Sequence, residues 1–279
     1  MLMGKLESRL YHSALFARAV GAIPGAASLA AWRYRQLFVH AGQCNLFRGI
    51  YSSFEEARRN LPATKPSGYD HGAPAEMYRD RLDHVFPADY PVLFWLGTLL
   101  GHVRRVFDFG GHIGVARYAY ARYLSFREDL LWEVCDVPAV VAAGRDVAVA
   151  RGVKGLTFTT DPGSAGYADL FFSSGALQYM EWFLPEFLAG LPRQPENVVL
   201  NLLPLSDTET YFTIQNIGTA FCPYRIQQRE GFFAGMAKLG YVLVDHWQNA
   251  EKACCIPFHP KHSLHHYEGA YFSRSSALA

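Results

Sequence analysis

The stretch Val106-Phe-Asp-Phe-Gly-Gly-His-Ile-Gly114 decides the fold of this chain. An apolar run ends in the acid Asp108, three glycines follow, and a segment with helical character begins at Val115. Glycines let the backbone turn sharply and let a ligand lie against it, and the amides at a helix N-terminus can meet polar ligand groups. The pattern therefore predicts a strand, a ligand-binding turn and a helix.

From this loop towards the C-terminus, short apolar runs alternate with helical segments. We predict seven strands after residue 102, at 104–108, 130–135, 156–160, 168–173, 197–203, 241–247 and 269–273. Such alternation is typical of a parallel sheet with helices on both faces. Right-handed crossovers place the loops after the strands at one edge, where ligands bind. The last two strands lack an intervening helix, which favours an antiparallel final strand.

The N-terminal part of the chain has a different character. We predict a mainly helical accessory or lid region over residues 1–90, including a helix at 75–85, and a cofactor-binding domain over 91–279. No β-rich run appears before residue 90. The second part contains an insertion at about 204–229, and a loop of this length in a compact domain often forms a lid.

Composition excludes several classes of function. Of the 279 residues, 50% are apolar and 18% are charged, so a sizeable core can form. The formal net charge of +1 argues against binding to nucleic acid or to an anionic membrane surface, because proteins that bind these usually carry a strong excess of basic residues. No segment reads as an integral membrane span or as a secretory signal. The aromatic content of 15% is high and indicates either a large core or an aromatic-lined pocket.

Cysteine and histidine side chains are the residue types that hold zinc, and cysteines also form disulfides. The cysteine count is odd and the spacing is irregular, so neither a disulfide framework nor a zinc site is predicted. Four histidines lie between residues 259 and 266, where a solvated loop is the better interpretation. We therefore predict no metal site, and reduced thiols in a cytoplasmic protein.

Acids stand at the ends of the second and third predicted strands of the sheet. Asp136 lies close to where a ribose-binding acid belongs in a nucleotide-binding domain, although it could also cap the following helix. Asp161 is either a ligand contact or a turn residue in Asp-Pro-Gly. The glycine loop lacks the full G-x-G-x-x-G spacing, which disfavours a nicotinamide-dependent dehydrogenase.

Three segments together carry a resemblance to a known family. They are Asp108-Phe-Gly-Gly-His-Ile-Gly114, Cys135-Asp-Val-Pro138 and Ala168-Asp-Leu-Phe-Phe-Ser-Ser-Gly-Ala-Leu-Gln-Tyr179. They resemble the nucleotide loop, the second acidic motif and the fourth-strand segment of class I S-adenosylmethionine-dependent methyltransferases. The common loop reads E/D-x-G-x-G-x-G, and His112 stands where it has its middle glycine. The resemblance implies an α/β, Rossmann-like seven-stranded sheet with an antiparallel last strand.

Four further segments resemble a narrower family of bacterial methyltransferases, often associated with polysaccharide or secondary-metabolite loci. They are Gly49-Ile-Tyr-Ser-Ser-Phe-Glu-Glu-Ala57, Gly68-Tyr-Asp70, Tyr78-Arg-Asp-Arg-Leu82 and Cys222-Pro-Tyr-Arg225. All the matches together span about residues 47–273. This narrower resemblance implies little about the substrate.

The resemblance implies S-adenosyl-L-methionine as the cofactor. Asp108 and Gly110 would approach its methionine part, and Asp136 would accept hydrogen bonds from the ribose hydroxyls, because a carboxylate offers only acceptors. Thr160 or Asp161 would face the adenine amine. The cofactor-binding set implied in this way is Asp108, Gly110, Gly111, His112, Gly114, Asp136, Val137, Thr160, Asp161, Ser174 and Gly175.

Methyl transfer from a sulfonium mainly requires alignment of nucleophile and methyl group, and exclusion of water. A base helps when the acceptor is a hydroxyl or an amine. We predict Tyr179 and His246 as the catalytic candidates, because each lies at or near the end of a predicted strand. The predicted acceptor-binding set is Tyr51, Tyr69, Tyr78, Tyr211, Gln215, Tyr224 and Arg225. Arg225 would pair with a carboxylate or phosphate, or form a structural salt bridge.

These expectations combine into one functional hypothesis. The chain would be an S-adenosylmethionine-dependent methyltransferase, a transferase acting on a small molecule or a sugar in small-molecule biosynthesis. One alternative is another displacement with the same cofactor, such as an intramolecular cyclisation. The other is a degenerate cofactor-binding scaffold. The expected partners are a small-molecule acceptor and, in solution, a second copy in a homodimer, but no nucleic acid.

Overall fold

The computed structural model of the chain describes residues 26–42, 45–71 and 78–274. The α-helices in these ranges are α1 (Ala26–His40), α2 (Phe54–Arg59), α3 (Tyr90–Leu99), α4 (Val115–Ala119), α5 (Pro138–Arg151), α6 (Leu184–Ala189) and α7 (Arg229–Lys238). The strands are β1 (Leu46–Tyr51), β2 (Arg105–Phe109), β3 (Leu131–Cys135), β4 (Leu156–Thr159), β5 (Leu170–Ser174), β6 (Asn197–Leu203), β7 (Leu205–Ser206), β8 (Tyr211–Asn216), β9 (Phe221–Gln228), β10 (Val242–Asn249) and β11 (Tyr267–Ser273).

The larger of the two sheets has seven strands in the order β10-β11-β6-β5-β2-β3-β4. Strands β2 to β6 pair in parallel, whereas β11 is antiparallel to both β6 and β10. All seven lie close to the bounds expected from the sequence. The predicted α/β, Rossmann-like seven-stranded sheet with an antiparallel last strand is confirmed.

Helices cover both faces of this sheet because its central strands are apolar on both sides. In β5 the buried residues alternate: Phe171 packs into the cluster with α6 and α7, while Leu170 and Phe172 pack into the cluster with α3 and α5. A nearly continuous apolar run is typical of a central parallel strand. Helix α5 begins at Pro138 and ends before the left-handed Gly152, both favoured positions for those residues.

A second sheet of four strands, in the order β1-β8-β9-β7, corrects two expectations. The N-terminal region contributes strand β1, which pairs antiparallel with β8. The insertion at 204–229 is a β-hairpin rather than an irregular loop. Its strand β8 is buried along its whole length because alternate side chains pack on opposite sides. Phe212 and Ile214 pack with α1 on one side, and Tyr211 packs with Tyr224 and Tyr267 on the other.

Parts of the predicted accessory region lie outside the described residues, namely 1–25, 43–44 and 72–77. The expected helix at 75–85 falls partly on them. Its described part forms only a short 3₁₀ turn at Arg79–Arg81. From 78 to 85 only Leu82 is buried, which is too small an apolar face for a packed α-helix. Within the described ranges, no helix combines the length and the apolar character needed to cross a membrane.

Candidate active site

Two cavities meet at the edge of the seven-stranded sheet where the parallel strands end. The first, here called the β4-side cleft, has a volume of about 430 Å³ and is lined by Asp136, Val137 and Thr160 after β3 and β4. The second, the β11-side cavity, has a volume of about 330 Å³ and reaches Tyr267 at the start of β11. The residues that line both are Tyr69, Tyr78, Gly110, His112, Ser174, Gly175 and Tyr179.

The glycine loop after β2 forms the junction of the two cavities. Gly110 has a left-handed backbone, with φ of 70°, and its amide donates to the carbonyl of Cys135 over 2.8 Å. A Cβ atom on Gly110 would lie 2.1 Å from the Cβ of Ala176, so no larger residue fits. Gly114 is also left-handed, but it faces the core and lines neither cavity; a Cβ there would lie 3.1 Å from Tyr118 and 3.2 Å from Leu156.

His112 occupies the position for which the resemblance described above implies a glycine, and its backbone conformation is one that favours glycine. Its φ is 57°, in the left-handed region that disfavours a side chain by about 1–2 kcal/mol. The imidazole ring packs on the ring of Tyr78, with a centroid separation of 4.3 Å. The amide of His112 donates to Oδ2 of Asp136 over 2.9 Å, which joins the loop to the end of β3.

The carboxylate of Asp136 is held by two backbone amides at the wall of the β4-side cleft. Besides the amide of His112, it accepts from the amide of Val137 over 2.8 Å. Burial raises the pKa of Asp136 to about 6, against the lowering effect of the two hydrogen bonds. Each of the two carboxylate oxygens accepts one hydrogen bond from a backbone amide, and each can accept another from a ligand hydroxyl. The alternative role as a cap of α5 is not seen, since Val137 is the N-cap and has no side-chain cap bond.

Asp108 is an almost fully buried acid at the inner side of the loop, 1% exposed. It accepts a hydrogen bond from Nε1 of Trp132 over 3.0 Å and lines the β11-side cavity. Burial raises the pKa of Asp108 to about 7; the Trp132 bond opposes this rise and the charge of Asp136 adds to it. Burial thus favours the neutral form of the Asp108 carboxyl in the folded protein.

The raised pKa of Asp108 predicts a pH dependence of stability. In the unfolded chain its pKa is about 3.9, so the folded state favours the protonated acid. Its stabilising contribution is fully present below about pH 4 and is lost as the pH rises through about 7. We expect the unfolding free energy of the wild type to fall by a few kcal/mol more than that of Asp108→Asn between pH 5 and pH 8, since each pKa unit corresponds to about 1.4 kcal/mol. Urea unfolding at both pH values measures this, and parallel curves for the two proteins would contradict it.

The remaining residues of the cofactor-binding set divide between the cavities and the surrounding structure. Thr160 lines the β4-side cleft, and Ser174 and Gly175 line both cavities. Asp161 lines neither cavity; its Oδ1 accepts from the amide of Gly163 over 2.8 Å, which is the turn role left open by the sequence. Of the acids at the strand ends, the structure therefore brings Asp108 and Asp136 to the cavities but not Asp161.

Tyr179 lies at the junction of the cavities, in the position expected of a catalytic candidate. Its hydroxyl donates to Oε1 of Gln215 over 2.7 Å and accepts from the hydroxyl of Tyr69 over 3.3 Å. Burial raises the pKa of Tyr179 well above its usual value of 10. The phenol therefore keeps its proton at neutral pH and acts as a hydrogen-bond donor rather than as a base.

His246, the other catalytic candidate, lines neither cavity. Its Nε2 lies 2.5 Å from Oε2 of Glu268, across the antiparallel pair β10–β11. Glu268 also forms an ion pair with Arg229 at the start of α7. The structure thus places His246 in a polar cluster that ties the last strands to a helix, away from the glycine loop.

The acceptor-binding set is also divided. Tyr69, Tyr78, Gln215 and Tyr224 line the β11-side cavity. Tyr51, Tyr211 and Arg225 line neither the cavity nor the cleft. Tyr51 packs against the cluster formed with α1, and the hydroxyl of Tyr211 donates to the carbonyl of His262 over 2.5 Å.

Arg225 is a buried residue whose guanidinium donates to backbone carbonyls. Its guanidinium donates to the carbonyls of Met180 and Trp182, each over 2.8 Å, and to that of Leu177 over 3.1 Å. Burial lowers the pKa of Arg225 to about 10, so it stays charged at neutral pH. The arginine holds the turn after β5, and thereby Tyr179, in place.

Several lining residues were not anticipated from the sequence. Phe109, Met180 and Trp182 give the β4-side cleft an apolar wall. Met180 and Trp182 come soon after β5 in the sequence, and residues that follow a parallel strand lie at this edge of the sheet. Their position in the sequence could therefore have predicted that they line the cleft. The unanticipated residues of the β11-side cavity include Arg81, Asp89, Gln178, Glu251, Lys252 and Tyr267.

Gln178 has a buried polar atom that finds no hydrogen-bond partner among the described residues. Its Nε2 donates to the carbonyl of Gly175 over 2.7 Å, but its Oε1 is buried and makes no hydrogen bond. A buried, unsatisfied oxygen costs about 1–3 kcal/mol, so a ligand donor in the β11-side cavity would be favoured there. Across residues 26–42, 45–71 and 78–274, no group of three His, Cys, Asp or Glu side chains is placed to hold a metal ion.

Among known proteins, the chain is similar to solved structures at low sequence identity. No protein-family model and no curated protein matches it. One similar solved structure is 1,6-didemethyltoxoflavin-N1-methyltransferase from Burkholderia thailandensis, with 1,6-didemethyltoxoflavin and S-adenosylhomocysteine bound; it is 16% identical over 68% of this chain and 79% of that one, with a TM-score of 0.46.

Two other similar structures are also methyltransferases. The CcbJ methyltransferase from Streptomyces caelestis is 13% identical, covering 75% of this chain and all of its own, with a TM-score of 0.44. An S-adenosylmethionine-dependent methyltransferase from Mesorhizobium loti is 15% identical, covering 69% of this chain and all of its own, with a TM-score of 0.45.

Proposed function

We propose that the chain is an S-adenosylmethionine-dependent methyltransferase that acts on a small molecule or a sugar. One observation carries the proposal. The glycine loop after β2, which has several residues with positive φ, lies where two cavities meet, and the carboxylate of Asp136 lines the β4-side cleft but not the β11-side cavity. One cavity thus has the chemistry to hold a nucleoside, and the other remains for an acceptor. A transfer reaction needs these two compartments to meet at one point.

The residues present fit the cofactor. In the β4-side cleft, Asp136 would accept from the ribose hydroxyls, the apolar side chains of Phe109 and Trp182 would contact the adenine, and Thr160 lies at the same wall. On the β11-side of the glycine loop, Asp108 would face the amino group of the methionine part. Burial without a cationic partner keeps the pKa of Asp108 raised. A ligand cation would favour its charged form, which is the chemistry expected of such a partner.

The bound cofactor supplies an activated methyl group, so the chain itself has to position the acceptor and exclude water. The β11-side cavity is suited to both tasks. Tyr179 holds Gln215 through a hydrogen bond, and the hydroxyls of Tyr224 and Tyr267 lie 2.7 Å apart in the wall of the cavity. Gln178 offers a buried acceptor oxygen to a ligand donor. These aromatic and amide groups favour a small, partly apolar acceptor.

Calorimetry with S-adenosylhomocysteine tests the cofactor assignment directly. We expect saturable binding of one molecule per chain with a dissociation constant in the micromolar range, about −8 kcal/mol. Absence of binding by a folded sample would overturn the proposal in favour of a scaffold.

Mass spectrometry tests the reaction. With S-adenosylmethionine and a panel of small acceptors and sugars, we expect one acceptor to gain the mass of a methyl group. Release of methylthioadenosine with no methylated product would instead support the cyclisation alternative.

Three finer expectations accompany the proposal as predictions from the sequence. They are the cytoplasm as the location, a homodimer as the state in solution, and the absence of a nucleic-acid partner. Light scattering of the purified chain measures the second of these.

A further inference from the structure

We propose that Lys252 and Arg81 form a binding site for an anionic group of the acceptor, a carboxylate or a phosphate, in the β11-side cavity. The inference rests on the proposed function, because it assumes that this cavity receives the acceptor. It goes further by naming a chemical feature of that acceptor and the residues that select it.

Lys252 is the first element of this site. It follows β10, lines the β11-side cavity and is only partly accessible to solvent. Among the described residues, no carboxylate forms an ion pair with it. A lysine removed from water without a partner loses solvation that a ligand anion can restore. In agreement, burial lowers the pKa of Lys252, and the charge of Arg81 lowers it further.

Arg81 is the second element. Its guanidinium lies over the ring of Tyr78, 4.6 Å from the centroid, and near the ring of Phe86, at 5.2 Å. Because the flat face of the guanidinium lies against the aromatic rings, the N–H groups at its edge remain available to a planar anion such as a carboxylate. Arg81 lines the same cavity as Lys252, and its charge is close enough to lower the pKa of the lysine.

Of the acids in the same cavity, Asp89 lies near enough to Arg81 for the arginine charge to lower the pKa of Asp89, against the rise that burial causes. Asp89 accepts from the amide of Phe86 over 2.9 Å and from the hydroxyl of Tyr120 over 3.1 Å. Asp108 accepts from Trp132, and Glu251 is exposed. None of the three forms an ion pair with Lys252 or Arg81 in the described part of the chain. The anion that bridges the two cations would therefore come with a ligand.

The position of Lys252 favours the acceptor over the cofactor as the source of that anion. Asp136 and Thr160 lie at the ends of β3 and β4, on one side of the sheet. Lys252 follows β10 at the opposite edge of the sheet, and it lines only the β11-side cavity. In the strand order, β5, β6 and β11 lie between β2, which leads into the glycine loop, and β10.

Titration with simple anions tests this site. The protein is first saturated with S-adenosylhomocysteine, and benzoate or inorganic phosphate is then added while thermal stability and heat are measured. We expect saturable binding of at least one of the two probes by the wild type, and binding at least about tenfold weaker in Lys252→Met, the effect of losing one hydrogen bond to a charged group. Lys252→Arg should retain most of the affinity. Lys261→Met, an exposed lysine in the same β10–β11 connection, should bind as the wild type does.

The possible outcomes separate this inference from the proposed function. Binding of S-adenosylhomocysteine without any saturable anion effect overturns the anion site alone. Equal weakening in Lys252→Met and Lys261→Met overturns it as well. If Lys252→Met weakens S-adenosylhomocysteine but not methylthioadenosine, which lacks the amino acid, the cations serve the cofactor and the acceptor assignment is overturned. Failure of the wild type to bind S-adenosylhomocysteine overturns both proposals.

Discussion

Replacing Asp136 by alanine should weaken S-adenosylhomocysteine binding by about 100-fold. The carboxylate has one amide on each oxygen and retains acceptor capacity towards the β4-side cleft. Two ligand hydroxyls would bind it, and a hydrogen bond to a charged group contributes about 1.5–3 kcal/mol. A loss of about 3 kcal/mol corresponds to roughly a 100-fold rise in the dissociation constant, which calorimetry measures.

Asp161→Ala provides the matched comparison. Its carboxylate accepts from Gly163 within a turn and lines neither cavity. We expect its dissociation constant to stay within about threefold of the wild type, well under 1.4 kcal/mol. Thermal melting of both variants controls for folding. Strong weakening by Asp161→Ala together with near-normal binding by Asp136→Ala would show that the roles of the two acids have been assigned the wrong way round.

Gly110→Ala should destabilise the protein by about 2–5 kcal/mol. A side chain at φ of 70° costs about 1–2 kcal/mol. Its Cβ would also lie 2.1 Å from the Cβ of Ala176, and overpacking of this kind costs about 1–3 kcal/mol more. Urea unfolding monitored by circular dichroism measures the loss. We also expect S-adenosylhomocysteine binding to weaken, because the glycine loop joins both cavities.

Two further variants separate the two causes. Gly152→Ala has the same left-handed backbone, with φ of 61°, but nothing lies within 4 Å of the added Cβ. It should lose only about 1–2 kcal/mol. In the double variant Gly110→Ala/Ala176→Gly the collision is removed, so part of the loss should be recovered. Equal losses in Gly110→Ala and Gly152→Ala would mean that contact with Ala176 does not matter.

The seven-stranded sheet could be predicted because its signals are local. Strands β2 to β5 are short apolar runs, each followed within two residues by an acid or a glycine. The helices between strands have ordinary start and stop residues, as Pro138 and Gly152 show for α5. The second sheet could not be predicted in this way. Strand β1 pairs with β8, more than 150 positions later, and no local pattern indicates that partner.

The site residues also differ in whether local sequence or tertiary contacts determine their role. Asp108 lies near the end of β2, and Gly110 and Asp136 directly follow β2 and β3, so topology alone brings them to one edge. For Arg225 and His246 the residue type indicated function, but each is occupied by partners from another element: the turn after β5 for Arg225, and Glu268 for His246. Whether a polar side chain is satisfied inside the protein depends on the packed structure.

The sequence by itself determined the α/β sheet, its antiparallel last strand and the loop on which a nucleotide cofactor would lie. It could do so because periodicity, glycine and strand-end acids act over a few neighbouring residues. Only the tertiary structure decided that the aromatic-rich insertion is a buried hairpin, and that Lys252 and Arg81 face one cavity. Both results depend on contacts between distant segments, where burial and desolvation decide which groups remain available to a ligand.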